Sequence, residues 1–441
     1  MLKRNNLWAL LGATAMVTVM AQPASAQSID ELKEQLAALA KRIEELEAKQ
    51  AATEKAVAEK TSDKSDVKRP RISKEEPAFA LATDDGLFEM NVRGRVFADA
   101  AWVSDGDNTY DLKATELRSA RIGVEGKAWK DIKYVIEVDF AGEEVTLADA
   151  LFDYKTSMGT WRFGYFKPTL SLEEITSARN ITFTERSGFT DAFSFGRNVG
   201  IGYINGGDNW TLNLGAFRGN ASDDLEDEGY TFAGRATYGQ EFEGGKWILG
   251  ASARYRDGGD ASFRYRQRAH SHIADRFVDT GTITNRDMTY VVEGGLQYGA
   301  FHVTSEYSEL HAKDAAADGG NAKLWGGFIE AGWFITGEEK TLKLDKAVWD
   351  RPKVNNPVHK GGMGAWQVAA RFDRLDMTGD GIYGGEQDTW LVGVNWYLNR
   401  HARVMANYSH MTFDKAFNVA ANGPDGENDA DALTLRFQVD W

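Results

Sequence analysis

The chain has 441 residues, of which 66 are acidic and 51 are basic, so its formal net charge is −15. This acidic balance argues against a nucleic-acid-binding protein, and we expect no nucleic-acid partner. The absence of Cys excludes a disulfide scaffold, a thiolate zinc site and a cysteine nucleophile. The 13 Trp, 15 Tyr and 23 Phe beside 45 Gly and only 7 Pro favour many short strands over packed helices.

Residues 1–26 have the order of a cleavable secretory signal peptide. Lys3 and Arg4 precede an apolar stretch over 7–20, and small residues follow at 24–26. The alternative is a membrane anchor, but the apolar stretch is shorter than the roughly 20 residues that a helical span requires. We therefore predict a secreted protein whose mature chain starts at Gln27.

Residues 27–60 are predicted to form a periplasmic α-helical coiled coil. Their apolar residues are spaced alternately by three and four, at Ile29, Leu32, Leu36, Leu39, Ile43 and Leu46. The alternative is a single surface helix that packs against its own domain. Residues 61–86 are predicted to be a linker, because the stretch 60–77 is charged, contains Pro and is nearly free of apolar side chains.

From residue 87 to 441 apolar and polar residues alternate with period two. Phe88, Met90 and Val92 fall on one face of the first segment, and Glu89, Asn91 and Arg93 fall on the other. Aromatic residues cluster at the ends of such segments, as in the girdles of outer-membrane barrels, whereas a soluble sandwich would need its outer faces to be wet. At roughly 22 residues per strand and connection, this length predicts about 16 strands. The predicted fold is all-β, a 16-stranded antiparallel transmembrane β-barrel in contact with outer-membrane lipid.

A row of arginines marks the segment 263–268. Arg264, Arg266 and Arg268 are spaced by two, which places them on one side of an extended segment. Three like charges in line repel one another unless an anion visits them, and guanidinium groups bind oxyanions with two hydrogen bonds. The alternative is an exposed loop that carries charge only for solubility.

The sequence resembles the phosphate-selective porin family of the Gram-negative outer membrane, the O and P type. The motifs that carry the resemblance extend from about residue 87 to the C-terminus: Gly94-Arg95, Leu117-Arg118-Ser119-Ala120-Arg121, Leu147-Ala148-Asp149-Ala150, Gly164-Tyr165-Phe166-Lys167, Phe183-Thr184-Glu185-Arg186, Phe334-Ile335-Thr336-Gly337-Glu338, Arg371-Phe372-Asp373 and Gly393-Val394-Asn395-Trp396-Tyr397. The resemblance implies a trimeric barrel in the outer membrane, with an aqueous channel that selects anions.

The resemblance also implies roles for individual residues. The arginine ladder would be Arg264, Arg266 and Arg268, and the constriction would draw on Arg95, Arg118 and Arg186. Lys133 would gather anions on the periplasmic side, and Asp149 would be the acid of the constriction. Two departures weaken phosphate specificity: Ser119 follows Arg118 where the family has a second Arg, and the ladder segment continues with His270 and His272 in place of a further Arg.

Three functions remain open at this stage. The first is an anion-selective porin for phosphate or related oxyanions. The second is a general porin, or a porin for another solute, on the same scaffold. The third is a barrel enzyme such as a lipase or protease, for which no residue spacing speaks. His270 and His272 lack the further ligands of a metal site. We therefore expect no enzymatic activity, no catalytic residue, no metal and no cofactor, and small phosphate-like anions as the partners of a homotrimer.

Overall fold

The structure is a computed structural model, and it describes helical residues within 34–49 and the residues 71–72, 79–106, 110–142, 144–219, 227–316, 318–414 and 428–441. The chain divides into two compact units, 1–66 and 67–441. In the first unit residues 40–49 are helical, and Ile43 and Leu46 are 51% and 61% exposed. The predicted signal peptide and most of the predicted coiled coil lie outside the described residues.

The second unit consists mainly of β-strands. The strands are β1 Arg71–Ile72, β2 Phe79–Ala82, β3 Phe88–Asp105, β4 Asp111–Ala128, β5 Ile132–Asp139, β6 Thr146–Thr156, β7 Gly159–Phe166, β8 Asn198–Gly206, β9 Trp210–Arg218, β10 Tyr230–Phe242, β11 Gly245–Asp257, β12 Phe263–Arg268, β13 Arg276–Thr284, β14 Arg286–Tyr298, β15 Phe301–Ala312, β16 Ala322–Phe334, β17 Thr341–Lys343, β18 Val348–Asp350, β19 Ala365–Gly379, β20 Ile382–Asn399, β21 Ala402–Asp414 and β22 Asn428–Asp440. Two short α-helices, α1 Leu172–Ile175 and α2 Gly188–Ala192, and a 3₁₀ helix, Val358–Lys360, lie between strands. Across the described part of the chain, no helix is both long and apolar enough to cross a membrane.

Sixteen of these strands form a closed antiparallel barrel: β3–β11, β14–β16 and β19–β22. Each of the sixteen strands pairs with the next barrel strand along the chain, so that β11 pairs with β14 and β16 with β19. β22 closes the barrel by pairing with β3, where Val439 lies opposite Val96. Closure leaves no open sheet edge around the ring, as a membrane barrel requires. The predicted 16-stranded antiparallel barrel is confirmed.

The closing seam depends on Gly94. The Gly94 and Trp441 backbones exchange two hydrogen bonds of 3.1 Å, and a Cβ on Gly94 would lie 2.2 Å from the Trp441 ring. β22 ends at this point, and β2 takes its place beside the part of β3 that precedes Gly94, where Phe79 lies opposite Val92. Part of the segment 61–86 that the sequence predicted to be linker is therefore strand, since residues 79–82 extend the sheet.

The alternation of side chains matches the predicted faces. Outward positions carry exposed apolar residues, such as Val292, Phe437 and Trp390, whereas inward positions carry polar and charged ones. Aromatic side chains stack between neighbouring strands on the outer face, with ring centroids 5.5 Å apart for Phe301 and Trp333. An apolar, aromatic-rich outside and a polar inside are what the bilayer and an aqueous lumen require.

Three segments between barrel strands fold into the lumen. The first, residues 167–197, carries α1 and α2, and we call it the inserted loop. The second is the hairpin β12–β13, whose Tyr265 is buried with Phe193 of the inserted loop. The third, residues 335–364, carries β17 and β18 and buries Trp349 beside Leu172 of α1. The apolar core of the protein is therefore inside the barrel, where these segments pack against one wall.

Candidate channel and its constriction

A cavity of about 920 Å³, which we call the large cavity, lies inside the barrel. The inner faces of β3 to β9 and the inserted loop form most of its lining, and residues 345–346 and Arg436 add to it. Twelve lining residues are Arg or Lys and six are Asp or Glu. A protein with a net charge of −15 therefore encloses a cavity with an excess of positive charge.

Two smaller cavities adjoin the first. One, of about 270 Å³, lies toward the hairpin β12–β13 and shares six charged residues with the large cavity. The other, of about 400 Å³, shares Arg93, Asp149, Leu151 and Arg162 with it. The three cavities thus follow one another along the lumen. We call the six charged residues at the first junction the constriction ring: Arg118, Lys167, Glu174, Glu185, Arg186 and Arg197.

Arg118 and Glu185 are joined by two parallel hydrogen bonds in the constriction ring. Arg118 Nε and Nη2 donate to the two carboxylate oxygens of Glu185 at 3.0 and 3.1 Å. Arg436 of β22 donates to the same carboxylate at 2.8 Å and holds Asp99 through two bonds of 2.6 and 2.7 Å. The Glu185 carboxylate therefore lies between two guanidinium groups.

The second carboxylate of the ring, Glu174, also binds two cations. Arg186 Nε lies 3.0 Å from Glu174 Oε2, and Lys167 Nζ donates to Glu174 Oε1. Arg186 additionally donates to the carbonyl oxygen of Thr176 at 2.9 Å, so it also holds the turn after α1. Burial, together with the nearby Arg186 and Arg197, lowers the pKa of the Lys167 ammonium to about 8, while Glu174 opposes the shift.

Asp149, the predicted constriction acid, lies at the junction of the large cavity with the third. Arg197 of the inserted loop donates to both of its carboxylate oxygens, at 2.9 and 3.1 Å. This pair joins the end of the inserted loop to β6. Asp149 thus positions a lumen-facing guanidinium.

Arg95 lies on the wall of the large cavity and not in the constriction ring. Its side chain is almost completely buried, with the residue 9% exposed, and its Nε donates to Ser119 Oγ at 3.1 Å. No ion pair to a carboxylate joins Arg95 within the described part of the chain. The structure therefore brings Arg118 and Arg186 together in the ring, with Arg95 separate from both.

The arginines of β12 share one strand face, as their spacing predicted, but they are spread along the mouth of the lumen. Arg264 binds both oxygens of Asp279 of β13 and its side chain is 44% exposed. Arg268 lines the cavity of 270 Å³, and the linings of the three cavities do not include Arg264 or Arg266. The assignment of all three to a continuous ladder stays a prediction.

Lys133 lies in the third cavity, toward the end of the barrel that carries the short turns. Lys127 is opposite it on β4 and Asp153 is opposite it on β6. Several lumen cations were not predicted from the sequence: Arg93, Arg121, Lys155, Arg162, Lys167, Arg179, Arg197, Lys346 and Arg436. Some of those on strands could have been found from the alternation. Arg93 is two residues from Arg95 on β3, and Arg121 lies opposite Arg95 on β4, so both share its inward face.

His270 and His272 have different surroundings. His270 is buried, with Nε2 3.7 Å from Asp373, whereas His272 is partly exposed and its Nδ1 lies 2.9 Å from Glu116. A different group, His410, Asp429 and Asp431, has ligand atoms within 4.8 Å of one another. It is on the outward-facing side of β21 and β22, away from the channel.

A closed 16-stranded barrel with an inserted loop and a charged constriction defines the class of outer-membrane porins. The fold is similar to that of the anion-selective porin of Comamonas acidovorans, with a TM-score of 0.51, 12% identity and coverage of 80% of this chain and 100% of that one. It is also similar to a loop-deletion mutant of OmpT of Vibrio cholerae, with a TM-score of 0.50, 12% identity and coverage of 80% and 100%.

Sequence comparison identifies the family. The model described as "Phosphate-selective porin O and P" matches residues 90–441, and the chain belongs to this family. Porin O of Pseudomonas aeruginosa is 27% identical over 86% of this chain and 93% of its own length. An uncharacterized protein of Caulobacter vibrioides is 30% identical over 74% of this chain and 69% of its own length. The protein is therefore an outer-membrane porin. Because porins are channels, the barrel-enzyme hypothesis loses its support.

Proposed function

We propose that this porin is an anion-selective channel for phosphate or related oxyanions, which cross by passive diffusion. The observation that carries the proposal is the lining of the 920 Å³ cavity, where Arg and Lys outnumber Asp and Glu by twelve to six although the whole chain is acidic. Lumen charge decides which ions enter a narrow pore, whereas charges on exposed loops are screened by salt.

The mechanism is transfer between weak sites. An anion enters past Arg268, meets the guanidinium groups of the constriction ring, and then crosses the large cavity toward Lys133. Each Arg can donate two hydrogen bonds to an oxyanion and keeps its charge at any physiological pH. Each ring cation also has a carboxylate partner, so no site holds the anion tightly enough to stop conduction.

The same ion pairs favour the second candidate, a general porin on this scaffold. In the constriction ring Arg118, Arg197, Lys167 and Arg186 all contact Glu or Asp, and full neutralisation would leave little preference between anions and neutral solutes. The excess of cations elsewhere in the large cavity, including Lys155, Lys346 and Arg95, favours the anion channel.

The proposed assembly is a homotrimer with the short-turn end of the barrel in the periplasm, as in bacterial barrels of this type. Strands β5 and β7 have 8 residues each, against 18 in β3 and β4, so the barrel wall is shorter at β5 and β7. Phe140 and Val145, in the loop above β5, are 51% and 63% exposed there, and a second copy of the chain would cover them. We also propose that a signal peptide over 1–26 is removed and that residues 27–60 form a periplasmic coiled coil. The exposed Ile43 and Leu46 are an a and a d position of this coiled coil.

The test is the zero-current potential of the purified protein in a planar bilayer under a KCl gradient. We expect anion selectivity, and we expect added phosphate to block the chloride current. Anion selectivity without phosphate block would favour a less specific anion porin. Cation selectivity would refute the proposal.

A further inference from the structure

The constriction ring contains an anion of its own in the place where a permeant anion would bind. Glu185 accepts two parallel hydrogen bonds from Arg118 and a third, of 2.8 Å, from Arg436. This is the arrangement by which a guanidinium group holds any oxyanion that presents two oxygens. The Glu185 side chain is 20% exposed, and the residue lines the cavities on both sides of the ring.

The backbone on which Glu185 is mounted is fixed to the barrel wall. The amide of Thr184 donates to Asn407 of β21 at 2.7 Å, and the carbonyl oxygen of Thr184 accepts from Arg436 of β22. The side chain of Arg118 is 30% exposed. With this backbone held in place, release of the Arg118 fork would require rotation of the Glu185 side chain, which would also break its hydrogen bond with Arg436.

We propose that Glu185 is an intrinsic competing ligand that determines the oxyanion affinity of the constriction. Its carboxylate occupies the Arg118 fork in the resting channel, and a permeant oxyanion takes its place during passage. The exchange favours anions with two oxygens at carboxylate-like spacing, such as phosphate, because a halide can replace only one of the two bonds. The inference rests on the proposed anion channel and specifies how its constriction selects.

A structural role for Glu185 makes the opposite prediction. If its carboxylate served only to hold Arg118 in position, its removal would leave the guanidinium misplaced and would weaken oxyanion binding. If it competes, its removal strengthens binding. The sign of the change therefore separates the two roles.

The experiment compares Glu185→Gln with the full-length wild-type channel in a planar bilayer, with inorganic phosphate as the probe. Gln has the shape of Glu but no charge, so it competes poorly for Arg118. We expect the phosphate concentration that halves the chloride current to fall by about tenfold, the factor that corresponds to one charged hydrogen bond. Unchanged or weaker phosphate block in an anion-selective channel would overturn the inference, whereas a cation-selective wild type would overturn the proposed function instead.

Two further variants keep the result interpretable. Glu174→Gln removes the same charge from the same ring but leaves the Arg118 fork occupied, so it should raise the anion preference with a smaller effect on phosphate block. Equal phosphate effects in the two variants would reduce Glu185 to a general electrostatic contribution and overturn the inference. Glu309→Gln, on the outer face opposite Tyr290, should leave both the anion preference and the phosphate block at the wild-type value. If Glu185→Gln fails to fold, Glu185→Asp, with its shorter reach, should shift phosphate block in the same direction.

Discussion

Two halves of the same lumen use arginine in opposite ways. In the open half, the inner face of β3–β9, Arg118 and Arg162 each face the cavity with side chains 30% exposed. In the closed half, the inner face of β10–β19, Arg371 is 1% exposed and binds both Glu173 and Glu330. Arg235 in the same half is fully buried against Glu293.

The difference lies in the surroundings of the charge and not in the residue type. Buried guanidinium groups are held by several partners because an isolated charge in a dry interior is costly. These pairs fix the inserted loop and residues 335–364 to the wall, as when Lys340 binds Glu330 at 3.7 Å and Thr182 at 2.6 Å. The closed half is thus a buried polar scaffold, and in the proposed channel the open half is the conducting surface.

The largest effect is expected from breaking the scaffold. Arg371→Ala would leave the Glu173 and Glu330 carboxylates buried without their shared cation, and the free energy of unfolding should fall by about 3–5 kcal/mol. Urea unfolding in detergent, followed by tryptophan fluorescence, measures the change. The matched variant in the open half is Arg162→Ala. Its pair with Asp153 is partly exposed, with side chains 30% and 16% exposed, so its loss should cost about 1 kcal/mol or less. Equal losses in the two variants would contradict the distinction between the halves.

The next largest effect, on ion selectivity, is expected from changes in the constriction ring. Arg118→Gln removes one ring cation and should lower the anion-to-cation permeability ratio about tenfold, if one charge contact to the permeating anion is lost. Arg186→Ala should lower the ratio as well, and it should also loosen the turn after α1 because Arg186 donates to the Thr176 carbonyl oxygen. Zero-current potentials measure both variants. An unchanged ratio in Arg118→Gln would place the selective step outside the constriction ring.

More of the open half than of the closed half could be predicted from the sequence. Period-two alternation separates lumen from lipid, so the barrel, its strand number and the inward direction of Arg95 could be predicted. Arg118 was assigned from the family resemblance, and a register shift in β4 between Leu117 and Ser119 interrupts the alternation there. The same alternation in 341–349 gave no sign that this segment folds back inside the barrel, where Leu342 and Trp349 bury themselves near Ile248. Its position depends on contacts with residues far away in sequence. The arginine row of β12 could be predicted because it depends only on local spacing, whereas its position relative to the constriction ring could not.

A smaller effect should follow from pH. Burial lowers the pKa of Lys167 to about 8, so the ring loses one positive charge as the pH rises through that value. We expect the anion preference to decline a few-fold between about pH 7 and pH 9 and to be constant below this window, where Lys167 is charged. Lys340, whose burial also lowers its pKa to about 8, could contribute to any such change. Lys167→Arg distinguishes them, because Arg stays charged and should abolish the decline. A decline that persists in Lys167→Arg would assign the pH dependence to another group.

The smallest effect is expected at the mouth, where the arginines of β12 are exposed. Arg264 is already paired with Asp279, and its side chain is 44% exposed, so the solvent screens its charge. Arg264→Ala should therefore reduce single-channel conductance by less than about twofold in dilute KCl, and by an unmeasurable amount in 1 M KCl, where the screening length is about 3 Å. The salt dependence is the decisive feature, because an arginine that binds the permeating anion directly would still matter at high salt. A loss of conductance in 1 M KCl comparable to that of Arg118→Gln would extend the conducting surface from the constriction to β12, and the arginine row would then act as the ladder that its spacing predicts.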